Sequence, residues 1–262
     1  MGVLTEAISN FDTSKSQLQD IKETLNLMVE LTESKAKEFK TEIENNLNRG
    51  RILGKGDSTE SLYFPISSVK DSRVEYRCIT KDTPTDLIDK ITDSICGMID
   101  DHSGTGIVKG IAGIINSAIQ PLLGLSEGAE QYCSVTSTFI DGSGLELSIS
   151  RFDCIIWGRS VSAESIKKQI EKTMACVAYK SVVDVRKITF DDFRSVYSPI
   201  VELSGATSIQ EAIKNAREIY DLLDGGKDIK ELQKRKSSIR EELVVKDLIS
   251  CSNVVMATDG KF

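Results

Sequence analysis

The sequence predicts an α+β fold. We expect a single compact domain, 1–262, with a small, mostly antiparallel sheet around a central β-hairpin, covered by helices, with long amphipathic helices at both ends. Three observations predict it. The segments 132–140 and 145–157 flank Asp141-Gly142-Ser143-Gly144, which is hairpin turn chemistry. Segments of helical period lie before and after that hairpin instead of alternating with single strands, so a regular βαβ sheet is not expected. Hydrophobic residues make up 40% and charged residues 28% of the 262 positions, the balance of a globular chain with a sizeable core.

Taken in order, 14–48 reads as one long helix, with Leu18, Ile21, Leu25, Met28 and Phe39 on a heptad-like seam that Thr32 and Lys35 weaken. Ser14 or Ser16 can cap its start, and Asn48-Arg49-Gly50 can end it, so 1–50 forms a helical arm. Two short strands are expected at 62–66 and 73–80, with a polar turn between them. Pro84 opens a helix to about 101, its apolar face made by Leu87, Ile88, Ile91, Ile95 and Met98. A Gly-rich helix spans 105–124, its end disturbed by Pro121.

After the hairpin, whose second strand sets Phe152, Cys154 and Ile156 on one face, Ile166, Ile170, Met174 and Val177 suggest a helix over 163–183. A strand or turn at 187–190 and a helical stretch at 191–197 follow. The region 207–250 reads as a helical pair broken at Gly225-Gly226. Its first member is amphipathic through Ile209, Ile213, Ala216 and Tyr220. Its second, 227–249, carries Ile229, Leu232, Ile239 and Leu243 on a seam suited to pairing with the N-terminal helix or a second copy.

Charge and composition exclude several classes. A net charge of −7 argues against nucleic acid and against simple electrostatic attraction to anionic lipid. The N-terminal segment has no basic n-region and no apolar h-region, so no signal peptide is expected. The chain is then cytoplasmic as made, with release left to a route that uses no signal peptide. Glu6 stands where N-myristoylation wants Ser or Thr. The six cysteines, Cys78, Cys96, Cys133, Cys154, Cys176 and Cys251, include no CxxC pair and are expected as reduced thiols.

Phosphate-loop readings fail on spacing. Gly50 to Gly56 is one residue short of a Walker A loop and has Gly56 in place of the magnesium-binding hydroxyl. Gly104, Gly106 and Gly110 are one residue too widely spaced for a dinucleotide fingerprint. No nucleotide and no metal are expected, since the single histidine, His102, excludes histidine-rich metal sites. His102 is also the one candidate for a histidine base in nucleophilic catalysis. The adjacent carboxylates Asp100-Asp101, Asp191-Asp192 and Glu241-Glu242 read as caps and solvated faces.

Two features carry function. The Gly-rich helix sets Ile107, Ile111, Ile114, Ile115, Ile119 and Leu122 in a stretch whose only charge is Lys109, with small residues Gly106 and Gly110 one turn apart. Lys109, Asn116, Gln120 and Pro121 argue for a buried central helix over a membrane span; a lipid-lined pocket is the further alternative. The cysteines Cys154 and Cys176 sit among apolar residues. Each is either a small buried hydrophobe or a thiol that carries an acyl group as a thioester.

The segment SISRFDCIIWGRS, the later MACVAYK and the preceding Gly-rich helix together resemble the Erwinia virulence factor Evf family over about 80 residues. The resemblance implies an α/β virulence protein with a palmitate-like fatty acid thioester-linked to a buried cysteine. Cys176 fits that role by position, with Cys154 second. The implied partner is a lipid or membrane surface; the seams of the terminal helices add self-association as a second expectation. IIWGRS and the layout are also similar to Cyt-type cytolysins, which implies a pore-forming alternative. A cysteine-dependent acyl-transfer enzyme using His102 is the third expectation.

Overall fold

The computed structural model describes residues 15–51, 63–79, 87–99, 105–141, 148–161, 171–194, 209–223 and 250–258. Its centre is a five-stranded antiparallel sheet in the order β1-β4-β3-β2-β5. The strands are β1 (Ile66–Ile79), β2 (Glu130–Asp141), β3 (Ser148–Ser160), β4 (Lys172–Val183) and β5 (Ser250–Thr258). The expected hairpin is present as β2 and β3, in unbroken register from Glu130 opposite Arg159 to Asp141 opposite Ser148.

Helices cover both faces. On one face lies α1 (Lys15–Asn48), whose Ala36, Phe39, Ile43 and Leu47 pack on Ile155, Trp157, Ala175, Val177 and Tyr179. The polar residues that weaken its seam have partners: Thr32 is buried and donates to the Met28 carbonyl, and Lys35 pairs with Glu130. The Tyr179 hydroxyl donates to Glu44 at 2.8 Å, and the Trp157 indole donates to Glu130 at 2.7 Å. Gly50 ends the helix in the left-handed region, φ 63°, where a side chain would strain the backbone and meet the Tyr63 ring.

On the opposite face lie α2 (Leu87–Cys96) and the Gly-rich α3 (Thr105–Leu123). Their Ile91, Ile95, Ile111, Ile115, Ile119 and Leu122 pack on Val135, Phe152, Ile156 and Met174. Asn116, a polar interruption in the sequence, accepts from the Thr92 hydroxyl at 2.6 Å and so joins the two helices. Pro121 is accommodated in the last turn of α3, where the Gly124 amide returns to its carbonyl and the Lys172 ammonium donates to the Leu123 carbonyl. A third cluster closes one end of the sheet: α4 (Ile209–Leu223) sets Ala216 and Ile219 against Phe64, Ile149, Val185, Ile188 and Phe193.

The structure corrects two expectations, shifts a third by a few residues and adds a strand. The two short strands near 62–66 and 73–80 are one strand, β1. Nothing in Ile66–Ile79 breaks a strand, and the mostly polar residues 67–72 mark a solvent-facing edge with two register irregularities, not a turn. The expected helix over 163–183 is strand β4 from Lys172 onward, while 162–170 lies outside the described residues. Met174 and Val177 fit a helical period, but β4 is buried on both faces, so its sequence lacks the alternation that marks a half-exposed strand. The turn at 187–190 is a 3-10 turn at Val185–Lys187, followed by helix at 190–194. Finally, β5 was not anticipated; it pairs with the outer edge of β2. The charged segment 227–249, expected as a terminal helix, lies outside the described residues.

Candidate functional site

The antiparallel register gathers the thiols. In β3, Phe152, Cys154 and Ile156 share the face under α2 and α3 because strand side chains alternate. Cys154 stands opposite Val135 on one side and Ala178 on the other, while Ile156 stands opposite Cys133 and Cys176. Three neighbouring strands therefore place Cys133, Cys154 and Cys176 on one face. The Cys154 and Cys176 sulfurs are 3.5 Å apart. Cys96, at the end of α2, joins the same buried cluster and donates weakly to the Val108 carbonyl of α3. All four are free thiols.

The roof of this cluster is α3. Ile111, Ile115 and Ile119 are fully buried, Leu122 nearly so, and Ile114 is half-buried. The side chain of Ile107 and all of His102 lie outside the described residues. The floor mixes small residues, the three cysteines, Ala178 and Gly158, with the larger Val135, Phe152, Ile156 and Met174. A Cβ added at Gly158 would come within 3.3 Å of the Leu122 Cβ, so glycine lets helix and strand approach closely. The sequence expected Cys176 on a helix; it is on β4, one strand away from Cys154. Among the described residues no group of three or more His, Cys, Asp or Glu is placed to hold a metal ion. Nor is any described helix long and apolar enough to cross a membrane.

Electrostatics hold the Cys154, Cys96 and Cys133 thiols protonated. The hydrogen bond with Cys176, then burial, push the Cys154 thiol well above its ordinary value. Burial, aided for Cys96 by the Asp93 charge, pushes Cys96 and Cys133 up to about 11. A protonated thiol is a poor nucleophile. The unfolded chain ionises these groups near their ordinary value of 9.0, before the folded chain does. Their contribution to stability is therefore fully present below about pH 9 and is lost as pH rises through about 11. Urea midpoints should fall across that window. The fall should shrink in a Cys96→Ala, Cys133→Ala double variant; equal falls in both proteins would refute the assignment.

The face under α1 holds a charged pair that the sequence reading did not single out. Arg151 and Asp153 are two apart on β3, on the same face, and both are fully buried. The guanidinium donates from Nε to Asp153 Oδ2 at 2.7 Å and from Nη2 to Oδ1 at 2.8 Å, and Nη2 also reaches the Arg51 carbonyl at the end of α1. Thr136 on β2 donates to the same carboxylate at 2.7 Å. The available signal was opposite charge at strand spacing inside an apolar run.

These layers define the class: an antiparallel sheet between two helical layers, with a buried thiol cluster under one of them. The chain matches no family model, no curated protein and no solved structure.

Proposed function

We propose that this protein holds a fatty-acyl chain, palmitate-like, as a thioester on the buried Cys176, and that it acts at membranes. The observation that supports this reading is the setting of Cys176. It is buried beneath an apolar helix, in an apolar cluster with Phe152, Ile156 and Met174, with a second thiol 3.5 Å away. The donor chemistry fits: a sulfur for the thioester and apolar side chains for the chain. Burying methylenes contributes about 0.8 kcal/mol each, enough to hold a long chain against water.

The thioester forms when the Cys176 thiolate attacks the carbonyl of an acyl-coenzyme A and the coenzyme A thiolate leaves. Because Cys176 is buried beneath α3, that attack belongs to an opened layer or to a chain still folding.

Intact mass tests the reading. After exposure to palmitoyl-coenzyme A during refolding, the protein should gain one acyl mass, and neutral hydroxylamine should remove it. Cys176→Ser should gain none; Cys154→Ser should still be acylated. No hydroxylamine-labile mass in the unmodified sequence, or the same mass on Cys176→Ser, would sink the proposal.

A further inference from the structure

Strand β1 forms one edge of the sheet. Among the described residues its inner side pairs with β4 and no strand pairs with its outer side. From Asp71 to Ile79 the pairing with β4 is regular, so this half of the edge is straight enough to template another strand. Val74 and Tyr76 are among the exposed large hydrophobic residues of the protein. Asp71, Arg73, Glu75 and Arg77 share the other face, where Glu75 accepts from Ser94 of α2.

Proteins commonly guard such edges with charge, and charge of one sign would repel a second copy. Here the sign alternates along the edge. We propose that the outer edge of β1 is a self-association surface, on which two copies of this chain pair antiparallel about a two-fold axis through Val74. That register sets Val74 against Val74, Arg73 against Glu75 and Asp71 against Arg77, with each charged pair formed twice by symmetry. Each charge also keeps its partner along the strand, Arg73 with Asp71 and Arg77 with Glu75, so the two rows form one lattice of alternating sign.

Neighbouring registers lack this match. A two-fold perpendicular to the sheet pairs residues of the same face. Centred on Arg73 it opposes Asp71 to Glu75 and Arg73 to itself; centred on Glu75 it opposes Arg73 to Arg77 and Glu75 to itself. Both place like charges face to face, which is destabilising. The Val74 register joins the two sheets into one, five strands from each copy.

Sedimentation of the full chain over the micromolar range tests the proposal. The unmodified sequence should dimerise, and more weakly at high salt. Arg73→Glu alone and Glu75→Arg alone should each weaken self-association by about tenfold or more, since each opposes like charges twice. Mixed together, the two variants should form a heterodimer, because every opposed pair is again of opposite sign. That rescue also requires both variants to be folded. A single-chain mass throughout for the unmodified sequence, undiminished dimerisation of either variant, or no heterodimer on mixing would overturn the proposal.

Discussion

Asp153→Ala should lower the free energy of unfolding by about 3–5 kcal/mol, the cost of leaving one member of a buried ion pair uncompensated. Arg151 is fully buried, and its guanidinium is held by two bonds to the Asp153 carboxylate. Without that carboxylate its one remaining acceptor among the described residues is the Arg51 carbonyl. The Thr136 hydroxyl loses its bond to that carboxylate as well. A single domain is stable by about 5–15 kcal/mol, so this one change removes a large share.

The same physics separates charge from packing. Replacing both members with apolar residues of similar volume, Arg151→Met with Asp153→Leu, should cost much less than Asp153→Ala alone, since no unpaired charge stays behind. Urea denaturation of the three proteins measures both effects. A loss below about 1 kcal/mol for Asp153→Ala would mean that water reaches the guanidinium, as it does for exposed pairs.

That pair also shows where the sequence was hard to read. Arg151 and Asp153 read as surface residues when hydropathy is taken one position at a time, and only the sheet's second helical layer makes them buried. The hairpin was legible because its turn residues and flanking strands agree with each other. The Gly-rich helix was legible because its apolar run is long and bounded. Strand β4 was not, because burial on both faces removes the period that distinguishes strand from helix. β5 is short and its pairing is with β2, more than a hundred residues earlier, so no local signal carries it. For the thiols, the sequence placed Cys154 and Cys176 in apolar settings, but their meeting depends on the β3–β4 register, and the inclusion of Cys133 on the β2–β3 register.

Ile115→Ala should cost about 2–5 kcal/mol in the free-thiol protein, and less once the protein is acylated. Ile115 is fully buried at the centre of the helical roof, in the same cluster as Cys133, Cys154 and Cys176. Truncating it removes apolar contact and leaves a cavity, and the cavity adds to the cost in proportion to its volume. An acyl chain on Cys176 belongs to that cluster. It would fill part of the space that the truncation opens, so the two changes should be coupled and not additive. The comparison needs four proteins: Ile115 and its Ala variant, each with a free and with an acylated Cys176. Unfolding free energies then give the coupling directly. A coupling of about 1 kcal/mol or more, in the direction of a smaller cost when acylated, ties the acyl chain to α3. Equal costs in the two forms would place the chain elsewhere, even where the mass measurement shows the thioester itself to be present.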